Sequence, residues 1–146
     1  MSVTVKRITL WRAEVDNRPG VLADFLSPLA AAGADLQVVM AYRFPGNETR
    51  GAVELCPVTT RKATAAAQAA GLSPSGIATL LVEGDNKPGL GHSISRALAD
   101  EGLNLAFLVT QVIGRRYSSV MAFESDEAAK RAAAVIRRAA AGGRKR

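Results

Sequence analysis

Apolar and polar positions along this chain switch between two periodicities, and the same order of switches occurs twice. Ile8 to Val15 carries the β-branched and aromatic content of a strand, as does Ile77 to Glu83. Val21, Leu22, Phe25, Leu26 and Leu29 then recur at the spacing of one helical face, and Leu90, Ile94, Ala97 and Leu98 do so more thinly. Alternation returns in Leu36, Val38, Met40, Tyr42 and Phe44, and in Leu105, Phe107, Val109, Gln111 and Ile113, each set on one face of a strand. Pro45-Gly46-Asn47 and Gly114-Arg115-Arg116 turn the chain into third strands, Ala52 to Val58 and Ser118 to Glu124. Alanine-rich helices follow, Thr60 to Ala70 and Asp126 to Ala140. Ser125 suits the N-cap of the second, and Asp126 and Glu127 complement its dipole.

The two halves are related residue by residue as well. Asp16-Asn17-Arg18-Pro19-Gly20-Val21 recurs 69 residues on as Asp85-Asn86-Lys87-Pro88-Gly89-Leu90. In the same register Leu29, Ala30, Gly33 and Leu36 match Leu98, Ala99, Gly102 and Leu105, so that 8 of the 21 positions from 16 to 36 are identical. A Pro-Gly pair and a later glycine seldom keep register by accident, and the chain reads as two copies of one unit. Pro19 and Pro88 suit the first helical position, where a missing N–H is no loss. Gly33 and Gly102 suit left-handed caps at the helix ends. Each half therefore reads β-α-β-β-α. With a closing strand it is the ferredoxin-like β-α-β-β-α-β unit of an α+β protein, an antiparallel sheet with both helices on one face. The expected domains are 1–73 and 74–140, with a basic tail at 141–146.

Two features depart from a perfect tandem. Pro28 lies inside the first helix, where it removes a backbone bond and kinks the helix or costs about 3 kcal/mol. A single strand-like segment, Leu72 to Glu83, is left both to close the first unit and to open the second. After the last helix only Ala141 to Arg146 remains, too short and too charged for a strand, so the closing strand of the second unit is expected to be missing. An open sheet edge is a liability unless another chain covers it, which predicts a homodimer.

Asn-x-Pro-Gly-(Val/Leu) entering the first helix of each unit, with Gly-x-(Asp/Asn)-Leu entering the next strand, resembles ACT domains, small regulatory modules that bind amino acids. Asn17-Arg18-Pro19-Gly20-Val21-Leu22 is especially similar to the regulatory domain of D-3-phosphoglycerate dehydrogenase, which binds serine. The resemblance covers about 6 to 70 and 76 to 138 and implies a tandem ACT protein without a catalytic domain. It implies a small amino acid as ligand at ACT–ACT interfaces, and an enzyme or transcription factor as the regulated partner. In those relatives an Asn in the turn and another at the second-strand start contact the ligand. Here these positions are Asn17 and Asp35 in the first copy, Asn86 and Asn104 in the second. A histidine of the relatives, two residues before the turn Asn, is replaced by Val15 and Gly84.

The turn supports a ligand site on physical grounds too. Helix N-termini leave backbone N–H groups unpaired and carry about half a positive charge, so they receive a carboxylate. Gly20 and Gly89 let a ligand approach the backbone beside Val21 and Leu90, while Asn17 and Asn86 offer both donor and acceptor. Asp16, Asp85, Asp35 and Asn104 are candidates to accept from the ammonium group. The plainer reading is a good strand-to-helix turn, with Asp16 and Asp85 as solvated carboxylates near a helix dipole. Cys56 reads as a small buried apolar residue, His92 as a surface or partly buried residue, and Trp11 and Tyr42 as packing or interface residues. No paired-carboxylate motif, phosphate loop or nucleophile elbow occurs, so no catalysis and no cofactor are expected.

Composition narrows the classes further. With 48% hydrophobic and 22% charged residues the chain is globular, and no apolar run is long enough to span a membrane. The start, MSVTVKRITLWRAEV, lacks a secretory pattern. One cysteine and one histidine fit a reducing cytoplasm and leave no set for a zinc site. The net charge of +6 would suit nucleic acid, and RNA-recognition modules use the same split architecture with two or three stacking aromatics. Tyr42 with Phe44, or Phe107 alone, match that poorly. Residues 130 to 146 hold seven basic side chains and no acid, so the rest of the chain is close to neutral. A dimeric scaffold without ligand is the remaining alternative.

Overall fold

The first apolar run does not form one strand. In the computed structural model, which describes residues 3–142, Ile8 ends β1 (Val3–Ile8), a strand not expected from the sequence, and the rest of the run forms β2 (Trp11–Asp16) in a different sheet. Then come α1 (Val21–Ala31), β3 (Val38–Phe44), β4 (Asn47–Cys56), α2 (Arg61–Ala70) and the two-residue β5 (Ser73–Pro74). The second repeat continues with β6 (Ala78–Asp85), α3 (Leu90–Asp100), β7 (Leu105–Ile113), β8 (Arg116–Phe123) and α4 (Asp126–Gly142). Two four-stranded antiparallel sheets result, ordered β3-β4-β2-β5 and β1-β6-β8-β7. This is a pair of ferredoxin-like units.

Thr9–Gly76 forms one compact unit. The N-terminal strand, joined to the described residues from Ile77 onward, forms the other. The strand expected to be missing from the second unit is therefore present, supplied by the N-terminus: β1 pairs with β6 from Val3↔Gly84 to Ile8↔Thr79. Val3–Ile8 thus lies with the second repeat, not with a first domain of 1–73. The physical reason is the open edge of β6, whose unpaired N–H and C=O groups β1 satisfies. Nor is one strand shared between repeats. The Leu72–Glu83 segment splits, β5 pairing with β2 at Trp11↔Pro74 and Arg12↔Ser73 while β6 serves the second sheet.

Local chemistry explains the helices. Pro19 and Pro88 precede the N-cap and are not the first helical residue. Gly20 and Gly89 hold that cap with φ of +89° and +84°, a left-handed backbone that a side chain would strain. Thr60 and Ser125 cap their helices through Oγ, accepting from Ala63 N–H and Ala128 N–H at 3.0 Å each. Helix α1 continues across Pro28. Gly33 and Gly102, at φ of +78° and +70°, follow the ends of α1 and α3 and reverse the chain.

Each unit buries its own core. In the first, Trp11, Ala13 and Val15 of β2 and Val53 and Leu55 of β4 pack with Leu29 of α1 and Ala63 and Ala67 of α2. In the second, Leu80 and Val82 of β6 and Met121 and Phe123 of β8 alternate onto one face. Leu90, Ile94 and Leu98 of α3 and Ala129, Ala132 and Ile136 of α4 cover it at one-turn spacing. Cys56 is buried.

Candidate functional site

The strand–turn–helix corner is built alike in both repeats. The Asn17 N–H donates to the Thr49 carbonyl at 2.9 Å and the Asn86 N–H to the Arg115 carbonyl at 2.8 Å, tying each turn to the neighbouring hairpin. Asp16 and Asp85 face arginines directly across the strand pairs. Arg50 donates to Asp16 at 2.7 Å and Arg116 to Asp85 at 3.0 Å. All four groups are exposed enough for each pair to contribute at most about 1 kcal/mol. Neither α1 nor α3 has a side-chain cap, so the first N–H groups of both helices lack that partner.

Beside the α3 corner lies a cavity of about 230 Å³. Asn86, Leu90, Gly91, Ile94 and Ser95 line it from the turn and α3. The β7–β8 register, with Leu108↔Met121, Thr110↔Ser119 and Val112↔Tyr117, brings those six residues to the same cavity. No charged side chain lines it. The Thr110 and Ser119 hydroxyls bond each other at 2.7 Å. Tyr117 is only 5% exposed, and its hydroxyl is buried without a hydrogen-bond partner among the described residues. Burial holds this phenol above its ordinary pKa, with Arg116 opposing and Asp85 adding, so it is a neutral donor at physiological pH. The Asn86 carboxamide likewise has no hydrogen-bond partner among the described residues.

The corresponding corner of the first repeat has a cavity of about 220 Å³ with different chemistry. Ala41 and Val53 pair where Thr110 and Ser119 do, and Arg43 and Gly51 pair where Val112 and Tyr117 do. The Asn17 carboxamide is committed, donating to the Glu48 carbonyl at 2.7 Å. Tyr42 at the rim donates to Glu54 Oε2 at 2.6 Å. Burial first, then that carboxylate, raise the Tyr42 pKa.

The residues expected from the sequence divide accordingly. Asn86 and Leu90 line the second cavity, and Asn17 and Val21 the first. Gly20 and Gly89 shape the turns, while Asp16 and Asp85 are held in ion pairs. Asp35 and Asn104 are exposed and line neither cavity. Gly91, Ser95, Thr110, Tyr117 and Ser119 were not among the expected residues. Aligning the repeats signals one of them, since Thr110 stands 69 residues after Ala41. The hairpin of the second repeat is shorter, so the β8 residues fall out of that register. Among the described residues no cluster of three potential metal ligands occurs, and no helix is long and apolar enough to cross a membrane.

No family model and no curated protein matches the sequence. Solved structures do match the fold. Protein BT0572 from Bacteroides thetaiotaomicron is similar with a TM-score of 0.71 at 15% identity, over 88% of this chain and 87% of that one. The ligand-free regulatory subunit of aspartate kinase from Thermus thermophilus gives 0.64 at 18%, over 95% and 97%. A structure of aspartokinase α and β subunits gives 0.62 at 15%, over 97% and 98%. At such identities the likeness is one of fold, and that fold is a tandem of ACT-like units.

Proposed function

We propose that this chain is a non-catalytic regulatory protein that binds a small amino acid with an uncharged side chain in the cavity beside α3. The observation that carries the reading is that cavity itself, an uncharged pocket at an uncapped helix N-terminus with the unpartnered Asn86 carboxamide in its wall. The Leu90 N–H is held by the Lys87 carbonyl at 3.2 Å, so the next N–H groups of the first turn, those of Gly91 and His92, receive the carboxylate, and Asn86 Oδ1 accepts from the ammonium group. The regulatory subunits of aspartate kinase that share the fold support a sensing role. Asn17 is spent on the Glu48 carbonyl, so the first repeat contributes architecture more than affinity.

One wall of the cavity belongs to β7, an edge strand whose Leu108 and Val112 are 42% and 50% exposed. In this reading a second copy of the chain covers that strand, placing the ligand at an ACT–ACT interface of a homodimer. Ligand then favours one arrangement of the packed units and shifts the population toward it, and a separate enzyme or transcription factor reads the result.

Thermal melting of the full chain against the twenty amino acids tests this. At 100 times its dissociation constant a ligand adds about 2.7 kcal/mol, a rise of several degrees in Tm. Gly91 lines the cavity and an added Cβ there meets nothing within 4 Å, so Gly91→Leu should be accommodated in α3 and should obstruct the pocket. It should abolish the response, Asn86→Ala should weaken it at least tenfold, and calorimetry should find one ligand per chain. A response to no amino acid, or one indifferent to Gly91→Leu, would refute the proposal.

A further inference from the structure

A buried hydroxyl without a partner is rare in a folded protein, and each instance calls for an occupant or a function. Tyr117, one of the residues that line the α3 cavity, carries such a hydroxyl. The nearby Thr110 and Ser119 hydroxyls bond each other at 2.7 Å, and neither bonds the phenol. Room for the ring is provided across the strand pair. Tyr117 stands opposite Gly84, whereas the same positions in the first repeat are Gly51 opposite Val15. The large and small residues have changed places, and only the second repeat presents a phenol. The other walls of the cavity, Leu90, Ile94, Leu108, Val112 and Met121, are apolar.

We infer that Tyr117 is the specificity-determining residue of this cavity, selecting amino acids whose side chain ends in an uncharged hydrogen-bonding group, a hydroxyl or a carboxamide, over aliphatic isosteres. The inference rests on the proposed amino-acid site. A ligand oxygen takes the hydrogen bond that the phenol lacks, and an aliphatic side chain of equal size leaves it unmade. Sites built around a polar partner reject the analogue lacking it far more strongly than apolar pockets reject an extra methylene. A charged side chain finds no counter-charge in the wall.

Calorimetric titration of the full chain with threonine against valine, and asparagine against leucine, separates the two side-chain classes. In the natural protein at least one polar member should bind about tenfold or more tightly than its isostere, the order of one well-made buried hydrogen bond. In Tyr117→Phe that ratio should fall to within about twofold, and Gly91→Leu should remove both members of the pair. Without ligand, Tyr117→Phe should melt at or above the temperature of the natural protein, since no bond is lost. A lower Tm would mean that water or protein already satisfies the hydroxyl, and overturns the inference. So does an undiminished ratio in Tyr117→Phe with binding still lost in Gly91→Leu, an outcome that leaves the proposed function standing. Binding of no amino acid at all overturns both.

Discussion

At the scale of single residues, the two repeats differ most where backbone and side chain compete for the same space. Gly51 is the clearest case. A Cβ added there would lie 2.4 Å from the Tyr42 carbonyl oxygen and 3.1 Å from the Arg43 Cα, both backbone, next to the register shift at Arg43 and Phe44. No rotamer change relieves such a clash, so Gly51→Ala should destabilise the first unit by about 2 kcal/mol or more, the range of overpacked and strained sites. Urea unfolding measures it, and a change below about 0.5 kcal/mol would show that the hairpin yields. The turn residues were legible because Asn-x-Pro-Gly has a local meaning. Tyr117 and Ser119 were not. A tyrosine and a serine in an alternating strand look ordinary until the register fixes which face they share with α3.

At the scale of elements, β1 is the strand that sequence reasoning missed. Its six residues are as strand-like as those of β2, and a continuous strand from Ile8 was a fair local reading. What separates them is pairing with β6, far along the chain. Arg137 of α4 secures the outer side, donating through Nη2 to the Val5 carbonyl at 2.8 Å. This residue therefore ties a helix to an edge strand. Arg137→Met keeps the apolar stem and removes the bond. It should cost about 1 kcal/mol and speed amide exchange selectively in β1 and β6. Uniform acceleration across the second unit, or none, would show that the strap is not what holds the strand. The helices, by contrast, were readable locally, since Thr60 and Ser125 cap through contacts three residues away.

At the scale of the whole molecule, charge and titration give the remaining prediction. The basic excess of the last helix is partly committed to structure. Arg131 donates to the Glu101 carbonyl at 3.0 Å and Arg137 holds Val5, while Asp126 of the same helix pairs with Arg7 of β1. The chain has two tyrosines, one in each unit, and both are held above their ordinary pKa, chiefly by burial. A folded state that keeps a proton the unfolded chain releases near pH 10 is fully favoured below that pH and loses ground as pH rises through the folded value. Stability should therefore decline above about pH 10. Tyrosinate absorbance of the native protein should appear at higher pH than in the urea-unfolded chain, and coincident titrations would contradict this.

The sequence alone determined what depends on neighbours along the chain: the repeat, the order of elements, the turn chemistry, and helices with one apolar face. These follow from local sterics and periodicity, and the ferredoxin-like fold of both units could be read from them. Tertiary structure decided which strand closes which sheet, which carboxylates are already paired, and which hydroxyl is left without a partner in a cavity wall. Strand pairing joins residues remote in sequence, and a shift of one residue in register turns every side chain to the other face. A site assembled across three such elements becomes visible only after the sheet has formed.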